Sequence, residues 1–241
     1  MDARAVLADV AALGPFFAVG TDPAERVDPT WRPVTDLHAD PEPLRARIAH
    51  VRRALGGDDR VAASIAFQGL AARLVAPPLA AVAVHGVLPD LGPARLHWRP
   101  TATGPWPLWC ADPEAVGVGE DAGALAAAVE ALVGPLVGAV RAQVAVSERV
   151  LRGNVASAVA GGKRLIGQQR PAAAQEAARV AAALLDGPLA GSGDRLSPVE
   201  PDVAWSFRRR SCCLYYRVRD GGLCGDCVLL ARPSPATRRR R

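Results

Sequence analysis

Lysine is almost absent from this sequence: Lys163 is the only one among 29 basic residues in a chain of 241. Arginine, alanine, glycine and proline fill the chain instead, a bias of composition with no functional weight of its own. Aromatic residues make up only 5% against a hydrophobic content of 50%. That argues against an interior built mainly of large stacked rings and predicts one of Ala, Val and Leu, in which helices approach closely. Uninterrupted apolar runs are missing as well. Leu74 to Val84 is broken by Pro77-Pro78, and Ala122 to Val140 carries Glu130 and Gly134-Pro135, whereas a spanning helix needs about 20 continuous apolar residues. Both stretches are expected to be buried helices, with no transmembrane segment. The opening Met1-Asp2-Ala3-Arg4 lacks a basic stretch followed by an apolar one, and Asp9 falls where that apolar region would run. No secretory signal is expected, and the expected location is cytoplasmic. No G-x-G-x-x-G follows a strand pattern, so there is no nicotinamide or flavin fingerprint of that type. Cysteines number five, an odd count that argues against a disulfide framework in a reducing compartment and points to metal or redox chemistry.

The net charge of +5 sits at the end of the chain. Residues 232–241 contain five arginines and no acid, which leaves 5 − 5 = 0 for the body. Such a run reads as a solvated end, and no nucleic-acid partner is expected.

Along the chain, Val6, Leu7, Val10, Leu13, Phe16 and Phe17 mark one face of an N-terminal helix over Ala3 to Val19. A polar stretch from Gly20 to Pro43 precedes a helix through Leu44, Ile48, Val51 and Leu55, stopped by Gly56-Gly57. Asp58 or Asp59 caps a third helix from about Val61 to Leu74, and a further helical piece runs from Pro78 to Val84. Ala94 to Arg99 and Trp106 to Ala111 read as a hairpin. Helices resume near Gly119, with Pro135 suited to a first helical turn, continue through Val144 to Ile166, and recur from Pro171 to Leu185. Gly187 to Pro198 reads as a linker-like loop. The expected fold class is α+β: predominantly helical, with a small antiparallel hairpin and a cysteine-rich C-terminal segment. Four parts are expected: an N-terminal helical region (1–58), a helical core (59–200), a cluster-binding segment (201–231) and a basic tail (232–241).

Chemistry concentrates in Ser206 to Pro233, where Cys212, Cys213, Cys224 and Cys227 form the pattern C-C-x10-C-x2-C. Two residues between Cys224 and Cys227 let both thiolates turn inward, and Gly225 permits a positive-φ loop. Adjacent residues of a strand point to opposite faces, so the chain must bend at Ser211 to Cys213 for both sulfurs to converge. Four thiolates match a 2Fe-2S cluster, which takes one pair per iron. A structural zinc also takes four, but its pairs are usually spaced by two to four residues. A Rieske centre needs two histidines, and His38, His50, His85 and His97 all lie far upstream without ligand spacing. A thioredoxin-like role for Cys224 and Cys227 is weakened because no helix follows Cys224. Cluster and thiolates together carry about −2 by formal count, a charge for Arg208, Arg209, Arg210, Arg217 or Arg219 to offset, whereas Asp226 would lower the reduction potential. Cys110 reads as a buried small apolar side chain, and Trp98, Trp106, Trp109 and Trp205 as core.

The cysteine pattern, set in RRSCCLYYR and GLCGDCVL, resembles the FhuF-type ferric siderophore reductases, and Phe67 to Leu74 and Leu151 to Ala158 look like helices of that family. The resemblance implies a 2Fe-2S cluster on Cys212, Cys213, Cys224 and Cys227 that passes one electron to Fe(III) in a hydroxamate-like siderophore. It also implies an external electron donor such as a ferredoxin or an NAD(P)H-dependent reductase. No substrate-contacting residue follows from it; Arg210, Tyr216 and Arg217 are near the motif only. A siderophore-binding or sensory module and a zinc-stabilised interaction protein stand as alternatives.

Overall fold

The computed structural model describes residues 2–101, 104–117 and 122–230. Helices dominate and the strands are short, which is the α+β class expected. The tail 232–241 and the helix start at Gly119 lie outside the described residues.

Helix α1, Ala3–Ala11, starts where the Asp2 carboxylate accepts the Arg4 N–H. It is shorter than its apolar periodicity suggests, because Gly14 takes a φ of 126° just before Pro15 and breaks the helical path. The stretch expected to be irregular instead contains a two-residue strand β1, Arg32–Pro33, and a short helix α2, Asp36–Ala39. Helix α3, Pro41–Leu55, is capped by Asp40 and closed by Gly56 at a φ of 67°, a left-handed conformation that favours glycine.

The central element is α4, Asp59–His85, capped by Asp58 and closed by Gly86. Where two helical pieces were expected, one helix runs straight through Pro77 and Pro78. The two missing N–H groups leave the carbonyls of Arg73 and Leu74 without helical donors; burial of both prolines among apolar neighbours offsets that loss. Packed around α4 are α5, Ala122–Gln143, α6, Glu148–Gln169, and α7, Ala174–Asp186. Pro135 lies within α5 rather than in a first turn. Where α4 packs on α6 both helices bury small residues, among them Ala62, Ala63 and Ala66 on α4 and Ala156, Ala160 and Gly162 on α6. A Cβ at Gly162 would come within 3.0 Å of Leu79, so backbone proximity is built into the sequence.

Strands β2, Val87–Pro89, and β5, Ala115–Gly117, pair antiparallel. The expected hairpin is present as β3, His97–Trp98, and β4, Leu108–Trp109, with β1 added at its edge, Arg32 opposite Trp98. Trp98 and Trp106 stack with ring centres 4.5 Å apart and are buried, as is Trp109. Arg73, on the buried face of α4, donates to the carbonyls of Trp106 and Ala18, each at 2.9 Å, and burial pulls its pKa down to about 10. Cys110 is buried, and burial raises its thiol pKa.

The linker expected over Gly187 to Pro198 contains a strand. Gly193–Leu196 (β6) pairs antiparallel with Ser206–Arg209 (β7), Gly193 facing Arg209. One apolar cluster runs from Leu7 in α1 through α3 to α7 and on to Phe207 in β7. By length and composition both α4 and α5 suffice to cross a bilayer, but 78% of the most apolar window of α4 is buried inside the protein, against 39% for α5.

Candidate metal centre

The β6–β7 hairpin brings the cysteine segment onto α6. Phe207 lies so close over Gly193 that a Cβ there would meet its ring at 2.2 Å. At the end of β7 the chain passes Gly153 of α6, where a Cβ would meet Ser211 Oγ at 2.1 Å. The strand ends at Arg209, ahead of the adjacent cysteines, as they require. Leu214 turns left-handed at a φ of 71° and leads into a single 3-10 turn, Tyr215–Arg217. Arg217 then pairs at 2.9 Å with Asp58, the residue that caps α4, so the segment is fastened to both core helices.

The returning loop is held by the Arg209 N–H on the Asp226 carbonyl, 3.0 Å, and closed by the Cys227 N–H on the Cys224 carbonyl, 3.1 Å. This turn forms without a left-handed residue: Gly225 has no positive φ, and a Cβ there would touch only Arg164 at an ordinary 3.8 Å. The positive φ values fall instead at Leu214 and Asp220.

The sulfurs of Cys213 and Cys224 approach to 3.7 Å across the two halves of the motif. Cys213 and Cys227 are buried, and Cys212 and Cys224 are half-buried; none of the four is in a disulfide. A proton shared between Cys213 and Cys224 pulls the Cys213 thiol down to about 6 and pushes Cys224 up. Burial raises Cys212 against the opposing pull of the Leu214 N–H. Backbone N–H groups face two of the sulfurs, Leu214 to Cys212 at 3.3 Å and Leu229 to Cys227 at 3.4 Å, the kind of contact that stabilises added negative charge on iron-sulfur ligands. Among the described residues, no three Cys, His, Asp or Glu side chains converge on one ion position; a two-iron cluster divides its four thiolates between separate irons.

The nearby arginines have different fates. Arg210 pairs with Asp194 at 2.5 Å and Arg217 with Asp58, while Tyr216 is exposed. Arg209 is the exception, fully buried, with its Nε and Nη1 atoms making no hydrogen bond among the described residues. Four thiols, sulfur-directed N–H groups and a buried cation without an acid make a chemically consistent bed for an anionic iron-sulfur cluster.

Residues 209–229 match the family model of the FhuF 2Fe-2S C-terminal domain. The C-terminal segment is of the FhuF type. Its cofactor is a 2Fe-2S cluster, and the match relates the chain to siderophore iron. No curated protein matches the chain. The FhuF-type segment contains all four cysteines of the sequence motif and excludes Cys110. Sequence reasoning missed the residues behind it, Ser64, Gly153 and Asn154. The available signal was polarity out of place: Ser64 and Asn154 interrupt otherwise apolar helical faces.

Proposed function

We propose that the protein reduces siderophore-bound Fe(III) to Fe(II) in the cytoplasm, with Cys212, Cys213, Cys224 and Cys227 holding the cluster. The observation that carries this reading is the FhuF-type match on the segment where all four thiols gather. When bound, the cluster supplies a single electron, delivered to it by an external donor such as a ferredoxin or an NAD(P)H-dependent reductase.

The chain's own part is to hold that electron near the surface and to seat the substrate. A groove of about 1010 Å³ abuts the loop between Cys224 and Cys227, lined by Leu196, Val199, Arg208, Gly225, Asp226 and Leu230 among others. Its volume suits an organic chelate, Leu196, Val199 and Leu230 offer apolar contact between charged residues such as Arg195, Arg208 and Glu200, and its lining residue Gly225 follows the half-buried Cys224 in sequence. Fe(III) accepts the electron and becomes Fe(II), which hard oxygen donors of a hydroxamate chelator bind less tightly. Iron release then needs no general acid from the protein.

The test is anaerobic stopped-flow mixing of dithionite-reduced protein, freed of excess reductant, with a ferric trihydroxamate in the presence of an Fe(II)-specific chelator. Rapid reoxidation with one Fe(II) trapped per cluster is expected. A cluster that stays reduced for minutes in excess chelate would make the protein a binding or sensory module instead.

A further inference from the structure

Ser64 of α4, Asn154 of α6 and Arg209 of β7 form a polar line through an otherwise apolar interior, exposed by 0%, 0% and 1%. Asn154 Nδ2 donates to the Ser64 carbonyl at 2.8 Å and to Ser64 Oγ at 3.0 Å. Ser64 Oγ in turn donates to the Cys213 carbonyl at 2.8 Å. With its nitrogen so committed, the Asn154 amide can only present Oδ1 to the other side, where Arg209 Nη2 donates to it. The orientation of the guanidinium is therefore fixed from two helices, and the same line ends on the backbone of a cysteine.

What the line lacks is an acid. The other buried cations are compensated: Lys163 by Asp202, and Arg73 by backbone carbonyls. Arg209 forms no ion pair among the described residues, and its Nε and Nη1, together with the neighbouring Ser211 Oγ, are buried without a partner. A buried, uncompensated charge is strongly destabilising, and idle buried donors add to the cost. Among the described residues none accounts for the arrangement, but a bound anion would. Arg209 stands three residues before Cys212, and its own N–H holds the Asp226 carbonyl within the Cys224–Cys227 loop at 3.0 Å; an oxidised 2Fe-2S centre with four thiolates carries about −2.

We propose that Arg209, oriented by Asn154 and Ser64, is the built-in counter-charge of the 2Fe-2S cluster and raises its reduction potential. Reduction adds one negative charge, so a fixed cation in a low-dielectric setting stabilises the reduced state more than the oxidised one. Arg209 and Asn154 are positioning residues here. The inference rests on the cofactor and is independent of what the electron finally reduces.

The experiment is an anaerobic spectroelectrochemical titration of the full-length, cluster-loaded protein without ferric substrate, alongside electron paramagnetic resonance of the reduced state. Wild type is compared with Arg209→Gln, Arg209→Lys, Asn154→Leu and, as a control, Arg219→Gln, which removes a solvent-exposed charge from the same segment. Arg209→Gln is expected to shift the reduced-to-oxidised ratio at fixed potential about tenfold toward oxidised, or about 59 mV for a one-electron couple. Arg209→Lys recovers most of that shift, and Asn154→Leu moves the ratio in the same direction with an altered resonance line shape. Arg209→Gln protein with full iron and sulfide content and a potential no further from wild type than that of Arg219→Gln overturns the proposal. Should Arg209→Gln fail to load, an unchanged potential and line shape in loaded Asn154→Leu overturns it equally.

Discussion

Lys163 Nζ lies 3.0 Å from Asp202 Oδ1, and the two side chains are only 2% and 3% exposed. The same ammonium donates to the carbonyls of Val203 and Trp205 and sits 4.3 Å from the centre of the Trp205 ring, while Arg164 holds the second Asp202 oxygen at 2.7 Å. The only lysine of the chain thus fastens the connection between β6 and β7 onto α6. Breaking a buried pair by removing one partner costs about 3–5 kcal/mol. Lys163→Met is expected to lower the urea stability by that order, with Lys163→Arg intermediate, and a loss below about 1 kcal/mol would contradict this role.

The same pair makes stability depend on acid. Burial alone would raise the Asp202 carboxyl, but hydrogen bonds from Arg164 and Lys163 outweigh it and hold the pKa at about 2, below the ordinary 3.8. A carboxylate depressed by folding contributes stability that is present above its unfolded value and is lost as pH falls through the folded one. Between pH 4 and 2, urea midpoints of the wild type should therefore fall more steeply than those of Asp202→Asn. The variant starts lower at neutral pH and is flatter across that window; parallel curves would place the acid sensitivity elsewhere.

Serine at any one of positions 212, 213, 224 and 227 is expected to reduce iron from about two atoms per chain to a small fraction and to bleach the visible absorption. Cys110 lies outside the FhuF-type segment and is buried, so Cys110→Ala should keep both. Elemental analysis for iron, sulfide and zinc with a visible spectrum reads all five variants at once.

Gly153 offers a purely steric test. A Cβ there meets Ser211 Oγ at 2.1 Å and Arg209 Nη2 at 3.3 Å, whereas at Gly161 of the same helix it meets nothing within 4 Å. Gly153→Ala should cost about 1–3 kcal/mol by overpacking and reduce cluster occupancy. Gly161→Ala should be neutral or stabilise by up to about 1 kcal/mol, since alanine suits a helix interior better. Thermal unfolding followed by circular dichroism separates the two, and equal behaviour would mean that the cysteine segment does not rest on α6 as described.

Much of the helical frame could be read from spacing and caps. The runs through Leu44 to Leu55 and Pro171 to Leu185, the Asp58 cap and the Gly56 stop are local signals, and local signals are what a sequence displays directly. Pro77-Pro78 misled because the cost of proline in a helix is local while its compensation, burial inside the bundle, is not. Strands β1 and β6 are too short for an alternating pattern; each exists because its partner, β3 or β7, offers free backbone groups. The cysteine motif was legible because its spacing is itself the chemistry. Its support was not, since Ser64 and Asn154 stand 90 positions apart and only the folded chain joins them. Gly225 shows the reverse error, a flexible residue credited with a conformation that the turn does not use.

The hydrogen bond from Ser64 to the Cys213 carbonyl spans 149 positions. While residues 206–230 are still unfolded, the helices up to α7 thus form a bundle without the wall that the cysteines complete, and contacts this distant in sequence form late. Iron and sulfide must then arrive as a finishing step on an already folded body, so a shortage of either should accumulate a compact, colourless precursor rather than an unfolded one.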